Sequence, residues 1–233
     1  MDYLCDCGAQ VEATSTPTFC PRCGRDHTFY LSFRARDQFP HKYASPVLST
    51  RELLAASGKS YSLSSPWSVI SERWTSPFLC VLYGPPGAGK STLALKLADA
   101  WSGSAMYVSC EEGLGATLAD RVSRLEVMRV HFCYPATWDE LVDQVRGFNL
   151  VVVDSLQSFP GKWCPELVRG ELVDRGRKNV VVVSQVNAAG EVRGGMAISH
   201  VADVSVELPG YGDLVVAKNR FGPTKGGVSW LER

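Results

Sequence analysis

Apolar positions in this chain gather into short unbroken runs of strand length, each ending abruptly in glycine or polar residues. "FLCVLY" (Phe78 to Tyr83) leads into Gly84, and "AMYVS" (Ala105 to Ser109) into Glu111 and Glu112. "FNLVVVDSLQSF" closes in Asp154 and Ser155, and "NVVVVSQVN" in Ser184 and Gln185. Strands without a polar face are covered on both sides, as in a parallel sheet, and the apolar spacing after Lys90 changes to the helical period. Three later runs, "DVSVEL", "GDLVVAKNR" and "GVSWLE", are short, separated by turns, and predict an antiparallel extension. Residues 67–233 therefore predict one α/β core with a mainly parallel central sheet and a C-terminal antiparallel extension.

Upstream of Trp67 the pattern loosens. "FRARDQFPHKYASP" mixes cations with aromatics, and "AASGKSYSLSSP" is serine-rich, so residues 29–66 are expected to form a connector. Within it "STRELLAASGK" predicts a short helix, capped by Ser49 or Thr50 and ended by Gly58. Residues 1–28 stand apart because of their cysteines. Cys5 and Cys7 form one knuckle and Cys20 and Cys23 a second, each followed by a glycine that lets the backbone turn beneath a metal. Four thiolates suit one tetrahedral zinc, so a small zinc ribbon is expected, with His27 as a substitute ligand. Cys80, Cys110, Cys133 and Cys164 lie singly in or beside apolar stretches and are expected to be free, buried thiols.

Charge narrows the picture. The 233 residues carry a formal net charge of zero, which excludes a protein-wide basic field for capturing nucleic acid. No unbroken apolar run reaches the roughly 18 residues of a membrane span. The opening "MDYLCDCGAQ" has no charged and apolar leader pattern, so a cytoplasmic location is expected.

The chemistry concentrates at the ends of the apolar runs. Gly84, Pro85, Pro86, Gly87, Ala88, Gly89, Lys90 and Ser91 match G-x-x-x-x-G-K-[ST] between a strand and a helix. Such a loop wraps phosphates with backbone N–H groups, and the helix N-terminus adds positive dipole. Lys90 is expected to reach the β- and γ-phosphates of ATP, Ser91 to ligate Mg²⁺, and Thr92 to flank the α-phosphate. Strand ends of a parallel sheet surround the ligand crevice. Asp154 is then expected to hold the Mg²⁺ shell and Glu111 to activate water, with Glu112 as the alternative base. Gln185 is expected to sense the γ-phosphate and pass its state to "NAAGEVRGGMAISH". Lys218 and Arg220 alternate onto one face at a strand end, where they meet an anion or decorate a solvated edge.

Taken together, the quoted elements "CPRCG", "GPPGAGKSTLAL", "YVSCEE", "VVVDSLQS" and "KNRFGPT" resemble the RadA/Sms family of bacterial recombination ATPases, within the RecA and DnaB group. "AKNRFGPT" is also similar to the corresponding segment of DnaB-type helicases. The resemblance implies a RecA-like P-loop NTPase core behind the zinc ribbon, and active sites between the subunits of a homo-oligomeric ring, expected to be a hexamer. In it Lys218 and Arg220 act on a neighbour's ATP. Single-stranded DNA is the implied partner, contacted by Lys162 and Arg193, with Phe159 or Trp163 stacking on bases. With "WLER" just after the last core strands, a short form lacking the Lon-like domain usual in the family is expected, and "SQVN" follows the sensor strand where the family tends to have histidine. A compact relative from a bacterium or an infecting phage fits this form. The function implied is a DNA-dependent ATPase acting on recombination or replication intermediates. The alternatives are a DnaB-like helicase relative, or a nucleotide-gated adaptor that docks a helicase or recombinase through its zinc ribbon.

Overall fold

A computed structural model describes residues 60–160, 163–186 and 196–231, with short N-terminal backbone segments at 2–4, 10–12, 30–31 and 50–51. The knuckle cysteines, His27, Lys162, Arg193 and most of the helix expected after Ser49 lie outside these residues. The chain divides into two compact units, Met1–Ser57 and Gly58–Arg233. In the first, strands β1 (Asp2–Leu4), β2 (Gln10–Glu12) and β3 (Tyr30–Leu31) form an antiparallel sheet in the order β2-β1-β3.

The second unit is built on an eight-stranded sheet. Its parallel strands are β6 (Leu79–Gly84), β7 (Ala105–Ser109), β8 (Val130–Cys133), β9 (Leu150–Asp154), β10 (Asn179–Gln185) and β11 (Val204–Glu207). Two antiparallel strands, β12 (Asp213–Asn219) and β13 (Lys225–Ser229), complete the order β13-β12-β11-β6-β10-β9-β7-β8. The valine run of β10 explains its central place, since Val180 to Val183 are at most 1% exposed. Alternate residues serve opposite cores: Cys80, Leu82, Val181 and Val183 face one, Leu79, Val81, Val180 and Val182 the other. Burial of each such side chain contributes about 1.5–3 kcal/mol, which favours a strand with no polar face only where helices cover both sides.

One face is covered by α1 (Trp67–Ile70), α2 (Lys90–Asp99) and α3 (Ala116–Arg124). The other carries α4 (Trp138–Gln144), α5 (Pro165–Leu167) running on as a π-helical stretch Val168–Arg175, and α6 (Met196–Val201). Beneath α2, Trp67, Trp74, Phe78 and Trp101 pack edge-on or tilted, Trp67 and Trp74 with ring centroids 5.0 Å apart. Residues Ser60–Tyr61 (β4), assigned above to the connector, pair with Trp74–Thr75 (β5), and Tyr61 and Leu63 pack on this core.

Three features of the sheet differ from the sequence reading. β11 is parallel to β6 rather than part of the antiparallel extension. Residues 196–201, read as loop, form α6, and a helical crossover returns the chain to the starting edge, so the next strand runs the same way. β13 begins at Lys225, and β8, unanticipated, forms the far edge.

Asp203 anchors the foot of the central strand. It is 5% exposed, and its Oδ2 accepts the Leu79 backbone N–H at 2.9 Å and Arg169 Nη1 at 2.6 Å. Its Oδ1 accepts Arg220 Nη1 at 3.0 Å. Both arginines are partly exposed and can turn to water, but the buried Leu79 N–H cannot. Asp203→Ala is therefore expected to lower unfolding stability by about 2 kcal/mol, read as a lower urea midpoint at unchanged slope.

Candidate active site

Because β6, β7, β9 and β10 are parallel, their C-terminal tips gather at one edge. Gly84 is in register with Gln185, and Ser109 with Asp154, while β10 lies between β6 and β9. The tips border a cleft of about 290 Å³, lined on one side by Pro86, Gly87, Gly89, Lys90, Ser91 and Thr92. Glu111, Glu112, Arg121, Asp154, Gln185 and Tyr211 lie around the rest. Gly84, Pro85 and Ala88 complete the loop without lining the cleft. A Cβ on Gly84 would lie 2.2 Å from the Leu208 carbonyl oxygen. Gly89, at φ 85°, starts α2 without a side-chain cap, leaving the first-turn N–H groups free of side-chain partners there.

Lys90 is 7% exposed, and its ammonium donates to the carbonyls of Gly84 (2.9 Å) and Pro85 (2.7 Å). Burial pulls its pKa down, opposed by the nearby carboxylates of Asp154 and Glu111. Asp154 is also buried, and that burial raises its pKa, opposed by the hydroxyls of Tyr107 and Ser91. Tyr107 donates its phenol hydroxyl to Asp154 Oδ2. Asp154 Oδ1 is buried and has no hydrogen-bond partner among the described residues. An unspent carboxylate oxygen in the cleft that also holds Ser91 suits a hard cation such as Mg²⁺.

The two adjacent glutamates have different surroundings. Glu112 is paired with Arg121 of α3 at 2.5 Å. Glu111 accepts the Ser155 hydroxyl at 3.1 Å and stands 3.3 and 3.4 Å from the Gln185 amide nitrogen. Glu111 thus joins the tips of β9 and β10, while Glu112 is held toward α3.

Lys218 and Arg220 are not in this cleft. β12 runs antiparallel to β11, with Lys218 opposite Ser205, so the strand delivers both cations to the opposite sheet edge. Lys218 Nζ donates to the carbonyls of Ser199 and His200 in α6, both at 2.9 Å, and Arg220 pairs with Asp203. The five residue steps of β6 separate that edge from the phosphate loop by about 17 Å. Phe159, expected to be open for base stacking, is 6% exposed and packs edge-on against Trp138 at 5.9 Å. Trp163 packs partly buried against the same core.

Three contributors escaped the sequence reading. Tyr211, 60% exposed, rises between two glycines beside Gly89 and stacks edge-on with Trp230 at 5.7 Å. Arg121 and Tyr107 meet the site only through folding, and no local motif marks them. The cysteines follow the reading in part: Cys80, Cys110 and Cys133 are free and buried, and Cys164 is free but half-buried. Burial pushes Cys110 up to about 12 and Cys133 up to about 11, so neither is a ready thiolate at neutral pH. No helix among the described residues is long and apolar enough to cross a membrane.

Comparison with known proteins agrees with this geometry. A family model described as an AAA domain matches residues 76–187. The DNA repair protein RadA of Mycobacterium tuberculosis is 31% identical over 167 residues, covering 61% of this chain and 35% of that protein. RadA of Chlamydia trachomatis is 28% identical over 170 residues (63% and 37%), and RadA of Bacillus subtilis 29% over 172 residues (63% and 37%). The chain spans little more than a third of the length of these relatives. Within the second unit, residues 76–187 match the AAA domain model, and the chain is similar in sequence to part of these RadA proteins.

Proposed function

We propose that the chain is a DNA-dependent ATPase of the RadA type, working as a ring, expected to be a hexamer, on recombination or replication intermediates. The observation that supports it best is the division of phosphate-transfer groups between two edges of one sheet. The phosphate loop, Asp154 and Glu111 line the cleft, whereas Lys218 and Arg220 lie at the far edge. Copies stacked edge to edge bring one chain's cations to the next chain's cleft, as an arginine finger does.

In this reading Lys90 and the loop N–H groups hold the β- and γ-phosphates of ATP, and Thr92 flanks the α-phosphate. Ser91 and Asp154 hold Mg²⁺, which when bound neutralises charge on the phosphates. Glu111, braced by Ser155 and Gln185, orients the attacking water and takes its proton. Gln185 reports the γ-phosphate to the segment after β10. Tyr211 supplies an aromatic wall at the cleft mouth for the nucleobase. Lys162 and Arg193 contact DNA phosphates, and Cys5, Cys7, Cys20 and Cys23 hold one zinc in a cytoplasmic protein. A nucleotide-gated adaptor is the second reading, favoured by the zero net charge.

The test is ATP turnover with and without single-stranded DNA at low and high salt. The motor reading expects turnover to rise several-fold with DNA and the stimulation to fade with salt, because phosphate contacts release counterions. Tight ATP binding with slow turnover indifferent to DNA would replace it with the adaptor.

A further inference from the structure

We infer that Tyr107 is a positioning residue for Asp154: its hydroxyl holds one carboxylate oxygen so that the other is left for the metal. The inference rests on the reading of the cleft as a magnesium-nucleotide site. Tyr107 lies in the middle of β7 and is fully buried, its ring tilted against Phe132 at 5.7 Å. Packing there needs only a phenyl ring. A buried phenol hydroxyl costs free energy unless it finds a partner.

The partner follows from register. Tyr107 is directly opposite Val152 on β9, and the two-residue alternation puts Asp154 on the same sheet face as Val152, one repeat closer to the cleft. A long aromatic side chain spans that diagonal where a shorter hydroxyl residue falls short. The contact leaves Asp154 asymmetric, with Oδ2 taken by the tyrosine and Oδ1 buried without a partner among the described residues. A carboxylate pinned through one oxygen cannot swing freely, so the remaining oxygen keeps its direction. Partners of this kind behind a metal-ligating carboxylate fix its orientation, and removing one typically weakens metal affinity about 10- to 100-fold.

The test titrates Mg²⁺ into protein with a fluorescent ADP analogue and reads nucleotide binding, not turnover. Tyr107→Phe is expected to move the Mg²⁺ midpoint up about tenfold while leaving nucleotide affinity in EDTA unchanged. An unchanged midpoint in a variant with wild-type thermal melting overturns the inference. If the single variant folds poorly with the Asp154 charge left unpaired, Tyr107→Phe/Asp154→Asn is compared with Asp154→Asn alone. Equal Mg²⁺ dependence in that pair supports action through Asp154, and a further loss overturns it. Wild-type protein that binds no nucleotide with or without Mg²⁺ instead sinks the reading of the cleft itself.

Discussion

Lys90→Ala and Arg220→Ala are each expected to lower ATP turnover at least about 100-fold, and an equimolar mixture of the two to regain a substantial part of it. Lys90 is buried at the end of the phosphate loop, and its loss removes the charge proposed to grip the β- and γ-phosphates. Arg220 is at the far edge of the same sheet, out of reach of its own chain's cleft. A head-to-tail ring made from both variants has four kinds of interface, of which one pairs an intact loop with an intact cation, so about a quarter of wild-type turnover is the random-mixing value. Steady-state phosphate release on the variants and their mixture checks this. Full turnover by Arg220→Ala alone would show that the edge cations are structural.

The second large effect belongs to Glu111. Glu111→Gln is expected to slow ATP hydrolysis by about 10²- to 10⁴-fold while nucleotide binding persists, because the amide keeps the volume but cannot take a proton. Glu112→Gln is expected to change turnover far less. Its carboxylate is committed to Arg121, whereas Glu111 meets Ser155 and the Gln185 amide at the strand tips. Single-turnover hydrolysis measured beside nucleotide affinity separates the two roles. Reversed sensitivities would assign the base to Glu112.

What the sequence made legible was local. The phosphate loop, β6, β7, β9 and β10 were readable because an apolar run with no polar face has only one stable place, and glycines at its tip have only a few uses. β8 was not, since four residues at a sheet edge, with His131 exposed, carry no clear period. The direction of β11 was hidden because it depends on α6, a six-residue helix following a glycine-rich stretch. Tyr107, Arg121 and Tyr211 were invisible for the same physical reason. Each acquires its partner from a different element, and nothing in its immediate neighbours specifies the pairing. The four knuckle cysteines lie outside the described residues, so the expected zinc ribbon rests on their spacing alone.

The carboxylate at the foot of β6 has a mechanical meaning. Asp203 grips the first N–H of the strand whose last residue opens the phosphate loop, and it also grips Arg220. One hydrogen-bonded rod in mid-sheet therefore carries a loop at its top and a cation at its base. In the proposed ring, a rigid displacement of the core would carry the loop and the strand end that bears the cation together, while the Arg220 side chain, 53% exposed, stays free to leave Asp203 for a neighbour's phosphate.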